Sequence, residues 1–194
     1  MVDPTTAPHR ASEPVKGRAD ARRNRDKVLA AARAALAGGD ESLAMVSVAR
    51  DAGVGVGTLY RHFPTREALV EAVYAAELDD VTASATTLLD QLPPEAALSA
   101  WLDRYAAFLA TKRGMVDTLR SSFAAGRIGP YTREKVTAAL RTLLEGGARA
   151  GVLRGDVDAE DAASMLHGIF LTAGHDPRRT SRMLSLLADA LRAR

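Results

Sequence analysis

Between residues 45 and 63 the chain carries two apolar-periodic runs, each too short to stand alone as a helix, on either side of a glycine. Met45, Val48, Ala49 and Ala52 recur at steps of three and four, the spacing of one helix face. Gly53 follows, at a point where a helix can end in the left-handed conformation that glycine adopts without steric cost. The chain restarts over 54–57, and Thr58, Leu59, Tyr60, Arg61, His62 and Phe63 make about one and a half turns before Pro64 stops them. Two such helices persist only by bracing each other. Ala49 is small enough for a close crossing, and Val48, Val54 and Leu59 would fill the core beneath. This is the arrangement that lets one helix enter the major groove while the other supports it. The outward face of the second helix then carries Thr58, Tyr60, Arg61 and His62, groups suited to phosphates and base edges.

The flanking sequence is punctuated in the same way. Upstream, Val28, Ala32 and Leu36 predict a first helix from about Asp20 to the Gly38-Gly39 pair, and 1–15, rich in Pro, Thr and Ser, reads as a disordered tail. Residues 16–27 hold six basic side chains against two acids, the most basic window of the chain. Downstream, Thr65 is an N-cap with Glu67 in the first turn, and Leu69, Val73 and Ala76 give a fourth helical stripe. Beyond residue 78, breaks at Pro93-Pro94, Gly114, 126–130, 151–158 and 174–177 separate five further helices, with Asp158 and Asp176-Pro177 as starts. Thirty-eight alanines and few aromatics, 5% of residues, leave little from which to build a sheet. The expectation is an all-α protein: tail 1–15, a three-helix DNA-binding domain with a helix-turn-helix over 16–76, and a helical dimerisation domain over 77–194.

A net charge of +2 is too mild to prove a nucleic-acid partner, so the basic window matters more than the total. The absence of cysteine excludes disulfides and thiolate metal sites. No apolar run reaches the roughly 18 residues of a spanning helix, and the first 15 residues lack a signal peptide's apolar stretch; a cytoplasmic protein with no membrane partner is expected. The glycines at 53, 55 and 57 lack the spacing and preceding strand of a nucleotide loop. His9, His62, His167 and His175 are scattered without metal-ligand spacing, and no strained-nucleophile motif is present. The reading is therefore no enzyme, no catalytic residues, no metal and no cofactor.

The segment from Val48 through Gly53-Val54-Gly55-Val56-Gly57-Thr58-Leu59-Tyr60-Arg61-His62-Phe63-Pro64 to Leu69 resembles the DNA-binding signature of TetR-family transcriptional regulators, and the likeness extends over about 22–74. The resemblance implies that Tyr60 and His62 contact backbone phosphates, that Thr58 and Arg61 lie at base edges, and that Arg66 replaces the lysine that usually opens helix four. Residues 16–25, with Arg22 and Arg25, would be an arm. Val56, beside Gly57 at the start of the reading helix, stands where a polar contact is common and would instead meet a thymine methyl. Ala44 and Gly55 stand where the family often has Ser or Thr caps; Gly is a tolerable cap and Ala a poor one, although Ser42 could start the second helix upstream.

Leu98, Trp101, Leu102, Tyr105, Phe108 and Leu109 form a broad apolar face. The resemblance implies a small-molecule effector between the middle helices, with Trp101, Tyr105, Phe108, Met115, Phe123, Met165, His167 and Phe170 as candidate pocket walls. Stripes at Val136, Leu140, Leu143, Leu144 and at Met183, Leu184, Leu187, Leu191, with Gly146-Gly147-Ala148 allowing close approach, read as a homodimer interface. The two-fold would set two reading helices roughly 34–36 Å apart, one turn of a double-stranded, palindromic operator. The expected function is a dimeric repressor released by an effector; a ligand-independent architectural or interaction protein that binds DNA is the alternative.

Overall fold

A computed structural model describes residues 13–38, 43–112, 116–173 and 176–193. They form nine α-helices: α1 (Glu13–Ala37), α2 (Met45–Asp51), α3 (Val56–His62), α4 (Arg66–Gln91), α5 (Pro94–Ala110), α6 (Val116–Ala124), α7 (Gly129–Arg149), α8 (Ala159–Ala173) and α9 (Pro177–Ala190). The described residues contain no strand, and one isolated antiparallel bridge joins Leu153 to Arg192. The fold is all-α. The chain divides into two compact units, residues 1–69 and 70–194.

In the first unit α1, α2 and α3 pack on one another. Val28, Ala32, Ala49 and Leu59 are fully excluded from solvent, and Val48 and Phe63 nearly so, while Val54 is half-buried. At the end of α2 the amide of Gly53 donates to Arg50 and that of Val54 to Ala49, both at 3.0 Å. Gly53 takes φ +64°, so this paired closure needs a residue free of a Cβ penalty. Two boundaries differ from expectation. Helix α1 begins at Glu13 rather than near Asp20, because Pro14 suits a first turn and the Arg- and Ala-rich stretch after it consists of good helix formers; the tail residues 1–12 lie outside the described residues. Helix α3 begins at Val56 rather than Thr58, with Gly55 accepting from the amides of Thr58 and Leu59 at 2.9 and 3.1 Å.

Helix α2 does start after Ala44, without a side-chain cap; Ser42 lies outside the described residues. Leu43, just before that cap position, is completely buried at φ +41°, and Val48, in the following turn, is 2% exposed. Apolar residues at these two positions are those of a hydrophobic staple, which fixes the entry of a helix in place of a polar cap. By contrast α4, α8 and α9 have the polar starts expected of them: Ala68 N–H donates to Thr65 Oγ1 (3.1 Å), Glu160 N–H to Asp158 Oδ1 (2.7 Å), and Arg178 and Arg179 N–H to Asp176 Oδ1 (2.9 and 3.2 Å).

In the second unit α7 packs on α8, α8 on α9, and α5 on both α7 and α9. The stripes read as a dimer interface are this unit's own core: Val136, Leu140, Leu143, Leu144, Leu184, Leu187 and Leu191 are each no more than 4% exposed, and Met183 is half-buried. Burial of this kind is worth about 1.5–3 kcal/mol per side chain, and α5 and α8 supply the cover assigned to a second copy. Gly147 likewise serves the chain itself, since a Cβ there would come within 2.3 Å of the Leu153 side chain. The most exposed large apolar side chains of this unit are others: Met165 and Leu171 on α8 and Leu186 on α9, at 54, 71 and 68%.

Candidate DNA interface and effector cavity

Leu59 anchors α3 in the first unit's core, so the neighbouring positions turn outward. Val56 is 40% and Tyr60 44% exposed; Gly57 and Arg61 are exposed, and Thr58, His62 and Arg66 are half-buried. The face therefore presents an apolar contact, a phenol, a guanidinium, a hydroxyl and an imidazole within two turns. From α1, Arg22 and Arg25 are both exposed, and the Arg25 guanidinium stands 5.5 Å from the centre of the Phe63 ring. This contact sets one cation of the basic window beside the end of α3. Arg23 is engaged locally with Asp20, and Arg50 with Asp51 at 3.1 Å. The side chains of Lys16 and Arg18 lie outside the described residues.

In the second unit a cavity of about 520 Å³ opens among α5, α6, α7 and α8, with Tyr105, Phe123, Thr132, Arg133, Leu166 and His167 on its wall. Of the candidate pocket residues, Tyr105, Phe123 and His167 share this wall. Trp101, Phe108 and Phe170 stand behind them: Trp101 stacks on Tyr105 at 5.5 Å, and Phe108 and Phe170 meet it at 5.9 and 5.5 Å. Trp101 is wholly buried, and its indole N–H donates to the Val81 carbonyl (3.0 Å), tying α5 to α4 rather than facing the cavity. Met165 points out from α8; Met115 lies outside the described residues. Sequence reading missed Thr132, Arg133 and Ser164, which carry no mark beyond ordinary helix-face positions.

The cavity wall also holds α4. The Tyr74 and Thr132 hydroxyls share a hydrogen bond (3.1 Å), and Phe123 meets the Tyr74 ring edge-on at 6.0 Å. Nearby, Glu71 Oε1 accepts from Ser122 Oγ (2.5 Å) and Arg127 Nε (2.7 Å). Burial disfavours the Glu71 carboxylate, yet these donors outweigh it and hold its carboxyl below the usual carboxylate range. Burial pushes the phenols of Tyr74 and Tyr105 up, so both are protonated hydrogen-bond donors at neutral pH. Among the described residues no helix is long and apolar enough to cross a membrane.

Comparison with known proteins bears on both units. Residues 28–73 match the sequence profile of bacterial regulatory proteins of the tetR family, and residues 93–193 that of the C-terminal domain of SbtR-like transcriptional regulators. A TetR transcriptional regulator from Streptomyces coelicolor is 42% identical, with 87% of this chain and 98% of that one covered and a TM-score of 0.67. A TetR transcription regulatory protein from Mycobacterium vanbaalenii is 34% identical over 91% and 99%, with a TM-score of 0.65. A regulator from Cytophaga hutchinsonii, at 18% identity and a TM-score of 0.66, shares the fold. No curated protein sequence matches. A helix-turn-helix unit joined to a helical unit, with both halves matched by one family, makes this chain a member of the TetR family of DNA-binding transcriptional regulators.

Proposed function

We propose that the protein acts in the cytoplasm as a homodimeric repressor on a palindromic operator, and that a small molecule held in the α5–α8 cavity releases it. The observation that carries the effector part is the double use of Thr132 and Phe123, which line the cavity and also hold Tyr74 of α4. Helix α4 begins in the reading unit and continues through the second. A ligand that moves either wall residue therefore acts on the helix that joins them. Such a ligand favours the dimer whose reading helices no longer match successive grooves.

In this reading Tyr60 and His62 bind phosphates, Thr58 and Arg61 face base edges, Val56 meets a thymine methyl, and Gly57, Arg66, Arg22 and Arg25 complete the surface. The partner copy covers Met165, Leu171 and Leu186, the large apolar side chains that the second unit leaves most exposed. The test is a footprint of the purified protein on genomic DNA, repeated with metabolites. A two-fold symmetric footprint lost on adding a metabolite supports the proposal; a symmetric footprint that no metabolite releases favours the ligand-independent architectural reading. On that operator Tyr60→Ala and His62→Ala should each weaken binding, and Tyr60→Ala should do so without changing the salt slope, because a neutral phenol displaces no counterion. Unchanged affinity would remove the phosphate assignment. Leu171→Glu with Leu186→Glu should give monomers in light scattering, and persistence of the dimer would reject the assigned interface.

A further inference from the structure

We propose that the cavity of the second unit takes an amphipathic organic acid, its carboxylate at Arg133 and His167 and its apolar body against Tyr105, Phe123 and Leu166. This rests on the reading of the cavity as an effector site and adds the chemistry of the ligand. Three observations on the cavity wall carry it.

Among the described wall residues the charged group is the Arg133 guanidinium, the His167 imidazole also lies on the wall, and there is no carboxylate. The ion-pair partner of Arg133 is Glu160 at 3.6 Å, with both side chains more than 60% exposed. A pair so long and so open contributes little, so a ligand carboxylate able to accept two parallel guanidinium N–H bonds can replace it. A cationic ligand would find no counter-charge among the described wall residues.

The interior surface sets the hydroxyls of Tyr105, Thr132 and Ser164 among apolar side chains. Tyr105 is 5% exposed and lines the cavity. Its aromatic neighbours Trp101, Phe108 and Phe170 offer it ring contacts only. The nearby Thr132 hydroxyl is already engaged, with Tyr74 and with the Ile128 carbonyl at 2.8 Å. An acceptor atom on the ligand, such as a carbonyl or ether oxygen, can accept from the Tyr105 hydroxyl. The third observation is the apolar body of the wall: Phe123, 38% exposed, with Val136, Ala163 and Leu166. These offer an acyl chain or an aromatic ring the surface that water would otherwise cover. A volume of about 520 Å³ lies within the range of small-molecule sites.

The experiment is calorimetric titration of the full chain, with thermal shift, using decanoate and 2-naphthylacetate against their primary amides. At least one acid should bind about tenfold more tightly than its amide. In Arg133→Gln, a substitution at an exposed position, the acid should fall to the affinity of the amide while the amide is unchanged. Tyr105→Phe, which keeps the ring, should weaken acid and amide alike. Amides binding as tightly as acids, or an acid preference that survives Arg133→Gln, would overturn the proposal and leave the effector site standing. If neither acids, amides nor a broad set of uncharged apolar metabolites bind, both the acid class and the effector reading fall.

Discussion

The first unit and the second are held together in different ways. In the first, polar side-chain bonds join near neighbours in sequence, as in Arg23 to Asp20, Arg50 to Asp51, and the Ala68 amide to Thr65. Cohesion across its helices comes from small and medium apolar residues, with Ala49 and Leu59 at the crossing fully buried. In the second unit α4 is tied through side chains to helices far along the chain. Trp101 and Lys112 reach it from α5 and the residues just after, Ser122 and Arg127 from α6 and the turn beyond it, and Thr132, Tyr131 and Lys135 from α7. An apolar core of small residues tolerates no change of spacing. A set of separate polar ties can instead be broken and remade one at a time. The first design suits a rigid reading head, and the second suits the response to a ligand proposed above.

The comparison is broken most directly at Leu59. Leu59→Ala should cost the first unit about 2–5 kcal/mol and abolish operator binding. Trp101 is the only tryptophan and lies in the second unit, so its fluorescence transition in urea should stay in place while circular dichroism gains an early phase. A fluorescence transition shifted equally would show that the units do not melt separately.

A smaller effect is expected at Tyr74. Tyr74→Phe keeps the ring contacts with Phe108 and Phe123 and removes only the link to Thr132, so stability should fall by about 1 kcal/mol. Operator affinity without ligand should hold, and release by ligand should weaken. Release identical to that of the parent chain would show that the Tyr74 hydroxyl carries no signal.

The smallest effect is that of acid. Glu71 and Asp79 both have lowered values: burial opposes their charge, but Ser122 and Arg127 for the first, and Lys135 and Tyr131 for the second, prevail. The unfolded chain therefore binds more protons than the folded one below the ordinary carboxylate range, about 4. The stability these groups contribute is complete above that range and is lost as pH falls through their folded values. Denaturation followed by Trp101 should show this loss, and Glu71→Gln should flatten it. An unchanged pH profile in that variant would remove Glu71 from the account.

The same contrast explains what could be read in advance. The reading motif was legible because its determinants are neighbours: Gly53 takes the positive φ expected of it, Pro64 ends α3, and Ala49 and Leu59 are buried at the crossing. Of the cavity, Tyr105, Phe123 and His167 were legible as aromatic or polar residues on helices of the right region. Thr132 and Arg133 were not, since their role depends on α5 and α8 arriving beside α7. The apolar stripes of α7 and α9 were read correctly as buried faces and assigned to the wrong cover. A stripe says that something covers it; only the packing of α5 and α8 says what.

The uncapped start of α2 has a thermal consequence. Where α8 and α9 begin on carboxylate hydrogen bonds from Asp158 and Asp176, α2 begins on the burial of Leu43 and Val48. Apolar anchorage weakens on cooling, because the entropy of released water that drives it fades. The entry to the reading motif is thus a cold-sensitive joint, set beside helix starts that are not. Amide exchange at the first turn of α2 should accelerate toward 0 °C relative to the first turns of α8 and α9.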